Sequence, residues 1–276
     1  MLALKIIAGV LALALVVLAM WRASDVLAAS AAWARLAGTA GQGDRVFDPA
    51  MVAELPEPAR RYFAFTIAPG TPIRTVAEIR MTGELGMGGK DDPRYGKMSA
   101  HQLLAPPHGL VWRLHAGMIT GSDVALPETS WTRFWLFHLV PVARISGDPD
   151  HHRSAFGRVV SEAAFWAPAS LLPSDFVRWE TRGADVARAT VTFGDFTQWV
   201  DITVASDGAP EKVVISRWSN ANPEARYRLQ PFGGFLSEYR DFQGYRLPTR
   251  VDGGNLIDTD DYFPFFRAKV TSITFR

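Results

Sequence analysis

The chain contains no cysteine. That excludes disulfides, thiolate metal sites, a cysteine nucleophile and a lipid-modified N-terminal cysteine. It leaves an oxidising compartment open, because 276 residues bury a core large enough to stand without covalent staples. An excess of charge of either sign is also missing. Of the 29 Lys and Arg only Lys5 falls within residues 1–21, which hold none of the 28 Asp and Glu, so the rest of the chain is balanced. A domain without net charge has no field to gather phosphates, and nucleic acid is not an expected partner.

Catalytic signatures are missing as well. GELGMGGK (83–90) looks like a phosphate loop, but Glu84 stands where glycine is required and Asp91 where Ser or Thr is required. It reads as a hairpin tip. LIDTDDYF (256–263) looks like a calcium loop, but Phe263 takes the glycine position. There is no G-x-S-x-G and no H-E-x-x-H. His151 and His152 follow Asp148 and Asp150 and read as a capped, solvated first helical turn rather than a metal or proton site. Glu162 lies beside Phe165 and Trp166, either as a buried carboxylate with a raised pKa or, as is commoner, with its head in water or paired with an arginine. No catalytic residue, metal ligand or cofactor is expected.

What the chain does have is a long apolar start. Residues 2–21 read LALKIIAGVLALALVVLAMW, and twenty helical residues span about 30 Å, the thickness of a bilayer core. Lys5 can snorkel at one end, and Trp21 with Arg22 suits the opposite interface. The rival reading is a cleaved signal peptide with Ala29-Ser30-Ala31 as its site, against which Trp21, Arg22 and Asp25 interrupt the approach to that site. The N-terminal tail is too short to be a domain, so the rest of the chain is expected across the membrane.

Residues 23–37 are alanine-rich and read as a continuing helix, followed by a linker, GTAGQGD (38–44). Asp48-Pro49 and LPEPARRYFAF (55–65) mark helix starts. From about Ile73 the period falls to two. IRMTGEL sets Ile79, Met81 and Leu85 against Arg80, Thr82 and Glu84, and GLVWRLH sets Leu110, Trp112 and Leu114 against Arg113 and His115. TSWTRFWLF (129–137) is aromatic on both faces and reads as a strand covered on both sides. A helix from Asp148-Pro149 must end before Pro168. ARATVTF, FTQWVDITV, EKVVISRW and RAKVTSITF then alternate, with a turn at Ser206-Asp207-Gly208. Eight to ten strands joined by short turns, without βαβ units, predict a mainly antiparallel sheet.

EYRDFQGYRLPTRV (238–251) reads as a hairpin turning at Gln243-Gly244. That register puts Phe242 opposite Tyr245 and Asp241 opposite Arg246. Tyr245, Leu247, Thr249 and Val251 share a face, and Pro248 needs an edge or a bulge. The segment resembles the strand–Gly–strand–Pro element of bacterial lipoprotein-carrier-like half-barrels. Together LPEPARRYF (55–63), SEAAFWAPASLLPS (161–174) and EYRDFQGYRLPTR (238–250) resemble an uncharacterised bacterial family of membrane-anchored envelope proteins. The half-barrel resemblance implies a curved sheet closed over an apolar cavity by helices. The expected fold class is therefore α+β: an N-terminal transmembrane helix (1–22), a helical stalk and linker (23–45), and one large, mainly antiparallel, half-barrel-like sheet with a few covering helices (46–276).

Nine tryptophans are the most unusual feature. Trp112, Trp131, Trp135, Trp199 and Trp218 all fall on predicted strands. With Leu114 they are the candidate ligand-binding residues, since ligand pockets are apolar and aromatic; the alternative for each is core filling. The expected function is a membrane-anchored envelope domain that binds or transfers an apolar, lipid-like ligand. It would sit in the inner (cytoplasmic) membrane through residues 2–21, with its C-terminal domain on the periplasmic side. A scaffold module with a solid core and an enzyme of unknown class are the alternatives. Intact-mass measurement of the mature protein is expected to find residues 2–21 still attached; a chain starting near Ala32 overturns the anchor.

Overall fold

The computed structural model describes residues 1–41 and 43–276. Helix α1 (Leu2–Ala37) is followed by a 3-10 turn (Pro49–Val52) and α2 (Glu57–Thr66). Six strands come next: β1 (Ala77–Gly86), β2 (Tyr95–Ala105), β3 (Gly109–Ala116), β4 (Ile119–Ala125), β5 (Ser130–Leu136) and β6 (Val140–Ser146). Helix α3 (Pro149–Trp166) leads into β7 (Val177–Thr181), β8 (Val186–Phe193), β9 (Phe196–Val204) and β10 (Pro210–Ser219). The last three strands are β11 (Arg228–Phe242), β12 (Tyr245–Asn255) and β13 (Phe263–Phe275). The linker read at 38–44 includes Gln42, which lies outside the described residues.

Among the described residues thirteen strands form one sheet in the order β6-β5-β4-β3-β2-β1-β13-β12-β11-β10-β9-β8-β7, and every neighbouring pair is antiparallel. The fold class is the expected α+β, an apolar N-terminal helix ahead of an open, curved antiparallel sheet. Two meanders, β1 to β6 and β7 to β13, meet at the β1–β13 ladder from Ala77↔Phe275 to Leu85↔Phe266. The strand number exceeds the eight to ten expected because β2, β4, β6 and β7 alternate poorly. Strand β2 ends in the apolar run Leu103-Leu104-Ala105, all buried, since both faces are covered there. Strand β6 lies at the sheet edge, where its Pro141 is tolerated.

The helix starts follow from their caps. Asp48 Oδ1 accepts from Ala50 N at 2.8 Å, and Asp148 Oδ1 accepts from the amides of Asp150 (2.8 Å) and His151 (3.3 Å). The 238–251 hairpin has the expected register, Phe242↔Tyr245 and Asp241↔Arg246. Gln243 and Gly244 take φ of 55° and 91°, the left-handed backbone that a two-residue turn demands. A Cβ at Gly244 would lie 2.3 Å from Thr71 Oγ1, so glycine is needed there for space as well. Pro248 falls short of the β12–β13 ladder, whose pairing begins at Arg250↔Lys269, so no ladder bond to β13 is lost.

The pleat separates two apolar layers. On the inner face Leu104, Trp112 and Ala125 join Ile79, Val270, Ile202 and Ile215 beneath α2 and α3. Their sequence neighbours Leu103, Val111 and Val124 point to the outer face, where they pack with Trp131 against Ala32 and Leu36 of α1. Residues 23–37, read above as a stalk, thus lie against the sheet. The buried stripe of α1 is Asp25, Ala29, Ala32 and Leu36, a helical spacing that starts only after the apolar run. None of the apolar window of α1 is buried, and the helix is long and apolar enough to cross a membrane.

Asp25 locks the junction. It is 3% exposed and accepts from Arg144 (2.6 and 3.1 Å), Trp135 Nε1 (2.9 Å) and Arg133 (3.1 Å). Trp21 meets Trp135 edge-on at 5.6 Å. Replacing Asp25 with Ala strands two arginines, each about a quarter exposed, and is expected to lower stability by about 2–3 kcal/mol. Urea titration of the solubilised full chain, with limited proteolysis of residues 23–45, reads both the loss and the undocking of α1.

Candidate functional site

Between α3 and the inner face lies a cavity of about 540 Å3, within the range of small-ligand sites, roughly 300–1,000 Å3. Its walls are Trp112 and Leu114 of β3, Phe134 of β5, Phe232 of β11, Phe266 of β13 and Phe165 of α3. Part of the space comes from a missing side chain. Gly233 pairs with Gly254 and Gly234 with Gly253 across β11 and β12. Gly233 and Gly254 are held by backbone crowding, since a Cβ would come within 2.0 Å of Val213 O or 1.8 Å of Phe263 O. Gly253 instead lines the cavity, and a Cβ there meets nothing closer than 3.7 Å. The cavity extends along Leu85, Gly86, Met87, Ala116 and Ile119 to the sheet end formed by the β1–β2, β3–β4 and β5–β6 turns.

One patch of the wall is charged. Arg158 of α3 binds Asp123 Oδ2 and Glu162 Oε1, both at 2.6 Å. Burial opposes its charge, but Glu162 and Asp123 outweigh that and hold its pKa above the ordinary arginine value. Gln102 donates to the other oxygen of Glu162, so the buried glutamate is both hydrogen-bonded and paired with an arginine. Thr132 donates to Asp123 at 2.6 Å. Its proton being committed, Thr132 accepts from His151 Nε2 at 3.0 Å, and His151 Nδ1 accepts from Ser130 at 2.6 Å. Burial lowers the pKa of His151, with the opposing pull of Asp123 and Asp148 second, which suits this neutral tautomer. The first turn of α3 is therefore not solvated as expected: His151 is held by β5, and His152 donates to Leu126 O at 2.9 Å. Among the described residues no group of three or more His, Asp or Glu could hold a metal ion.

The six candidate residues separate. Trp112 and Leu114 line the cavity. Trp131 lies in the outer cluster under α1, with Arg133 over its ring at 4.7 Å. Trp135 is fully buried at Asp25. Trp199 carries Arg188 at 3.8 Å, and Trp218 donates to Asp150 at 2.8 Å while stacking on Tyr227. The alternation of β5 explains the split: Trp131 and Trp135 share the outer face, and Phe134 between them turns inward. Sequence reading missed Phe232, Phe266, Arg158, Arg217 and the glycines. The signal available was the doublet in PFGGF (231–235) and VDGGN (251–255), two glycine pairs in strands that otherwise carry large side chains.

Comparison with known proteins adds a family. Residues 45–268 match a family of unknown function, DUF6544. The chain belongs to DUF6544. The match begins after α1 and takes in every cavity residue, so the charged patch and the glycine pairs lie within the family's extent. Curated proteins give no match. Similar solved structures include a LolA superfamily protein from Nitrosomonas europaea, with 13% identity, covering 79% of this chain and 92% of that one, TM-score 0.44. Another is a domain assigned as an outer membrane lipoprotein-sorting protein from Vibrio parahaemolyticus, with 12% identity, covering 73% and 85%, TM-score 0.39.

The charged patch yields a stability test. Arg158→Met keeps most of the side-chain volume and leaves Asp123 and Glu162 without their cation, an expected cost of about 3–5 kcal/mol. Adding Glu162→Gln is expected to recover part of that loss, and denaturant titration of both single variants and the double variant gives the coupling.

Proposed function

We propose that this DUF6544 member is a membrane-anchored envelope domain that binds, and passes on, an apolar lipid-like ligand. The observation that carries the reading is the aromatic cavity beneath α3. A solid-core scaffold would have no use for the Gly234–Gly253 pair, which leaves the inner face of β11 and β12 without side chains beside the cavity. Eight buried methylenes contribute about 6 kcal/mol at about 0.8 kcal/mol each, enough to retain half of an acyl chain.

The position of the cavity supports the same reading. Arg22 donates to Thr120 at 3.3 Å, and Thr120 contacts His138 at 3.1 Å, so the apolar part of α1 leaves the domain at the end carrying the β3–β4 and β5–β6 turns. Met118 and Phe137 on those turns are exposed, as is Met87 on the β1–β2 tip. The cavity reaches this same end, next to the bilayer that residues 2–21 would occupy. Asp25 favours a retained anchor, because cleavage at Ala29-Ser30-Ala31 would remove it and leave Arg133 and Arg144 without their carboxylate. In this reading the domain sits on the periplasmic side of the inner membrane.

The test is photo-crosslinking in cells expressing the full chain. A benzophenone amino acid at Leu114 is expected to yield a lipid adduct on its tryptic peptide, and one at exposed Phe176 is not. Gly253→Leu, which fills the cavity from a position with room for a side chain, should reduce the Leu114 adduct at least tenfold with the thermal transition retained. No adduct at Leu114, or an adduct indifferent to filling, overturns the proposal.

A further inference from the structure

Arg217 of β10 lines the cavity beside the charged patch, and nothing described so far uses it. Its Nε donates to Ser154 Oγ on α3 at 3.1 Å, and its guanidinium lies over the Phe232 ring at 4.6 Å. Among the described residues it forms no ion pair, because both nearby carboxylates, Asp123 and Glu162, are bound to Arg158. Its terminal nitrogens, unlike those of Arg158, have no hydrogen-bond acceptor among the described residues. They are not buried against protein and open onto the cavity that Arg217 lines, where an anionic group can engage them two-to-two. We propose that Arg217 is the head-group anchor of the cavity and that the ligand is a long-chain fatty acid, its carboxylate held by the Arg217 fork and its chain lying along Phe232, Phe266 and Trp112.

Three features fit a carboxylate, and the third separates it from a phosphate. The guanidinium is planar and matches carboxylate oxygens two-to-two. Its Nε is already taken by Ser154, and the ring of Phe232 covers one face, so the two terminal nitrogens are the donors left for an oxygen pair. Asp123 and Glu162 stand close by, so a monoanion is repelled less than a dianionic phosphate would be. Burial, with the charge of Arg158 second, pushes the Arg217 pKa down to about 10, the direction expected for a cation that lacks its counter-ion.

This inference rests on the cavity binding an apolar chain, and the experiment separates the two. Full-length protein in nanodiscs is labelled with a diazirine-bearing fatty acid, the alcohol of the same chain, and the corresponding alkyl phosphate. Label is read on the peptides carrying Phe232 and Phe266. The acid is expected to label about tenfold more than the alcohol, as a charge-assisted bond implies. Arg217→Gln should bring the acid down to the alcohol's level with the alcohol unchanged, and Arg217→Lys should keep part of the preference. Equal labelling by acid and alcohol in the wild type, or a preference that survives Arg217→Gln, overturns the anchor and leaves apolar binding intact. If Arg217→Gln does not fold, an undiminished preference in Arg217→Lys overturns the bidentate fork. Stronger labelling by the alkyl phosphate overturns the carboxylate assignment. No cavity label from any probe overturns the apolar-ligand reading itself.

Discussion

One helix cannot cover the inner face of this sheet. Thirteen strands at about 4.8 Å would span roughly 58 Å if flat, whereas a helix is about 10 Å across. The β1–β13 ladder welds two meanders into a single surface, and bulges at Arg80/Met81, Phe134/Trp135 and Gly253/Asn255 bend it. Curvature brings the two halves toward α3, and α2 covers part of the β7–β12 half. What remains uncovered, between α3 and the strands where the glycine pairs meet, is the cavity. It follows from the mismatch between a wide sheet and a narrow cover.

That mismatch also explains the chemistry of α3. A helix lying over an incompletely filled space needs directional contacts to hold its height and rotation, because dispersion alone is lost across a gap. Arg158, Glu162 and His151 supply them, tying the helix to β4, β2 and β5 through Asp123, Gln102, Ser130 and Thr132. Arg217 reaches α3 from the opposite half through Ser154. The polar groups of the cavity therefore have a structural task before any ligand arrives, and Arg217 is the cation among them with donors to spare.

The outer face has a different logic. Asp25 gathers Arg133, Arg144 and Trp135 at the point where α1 stops being apolar on all sides. Because α1 is unbroken from Leu2 to Ala37, the orientation of the apolar segment is coupled to strands β5 and β6, whose inner side chains Phe134 and Val142 line the cavity. A flexible tether would leave the cavity free to face any direction. The packed helix gives it one.

Much of this was legible from the residues. The apolar run, the caps at Asp48 and Asp148, the alternation of β1 and β8 and the Gln243-Gly244 turn are local signals, set by propensity, side-chain period and backbone sterics within a few residues. They determined the element types, the antiparallel class and the 238–251 register. The double-faced aromatic strand β5 even announced that both of its faces would be covered. Which element covers which face was not local. Trp112 and Trp131 look alike in sequence, yet one lines the cavity and the other packs under α1, because inside and outside exist only once the sheet has curved. Arg158 and Arg217 likewise differ only in their neighbours: Glu162 of α3 and Asp123 of β4 both pair with the first, and among the described residues neither pairs with the second. Composition and periodicity fixed the apolar helix and the sheet; the closing of the sheet around one narrow helix decided where the space would be and which of its cations would lack a carboxylate partner.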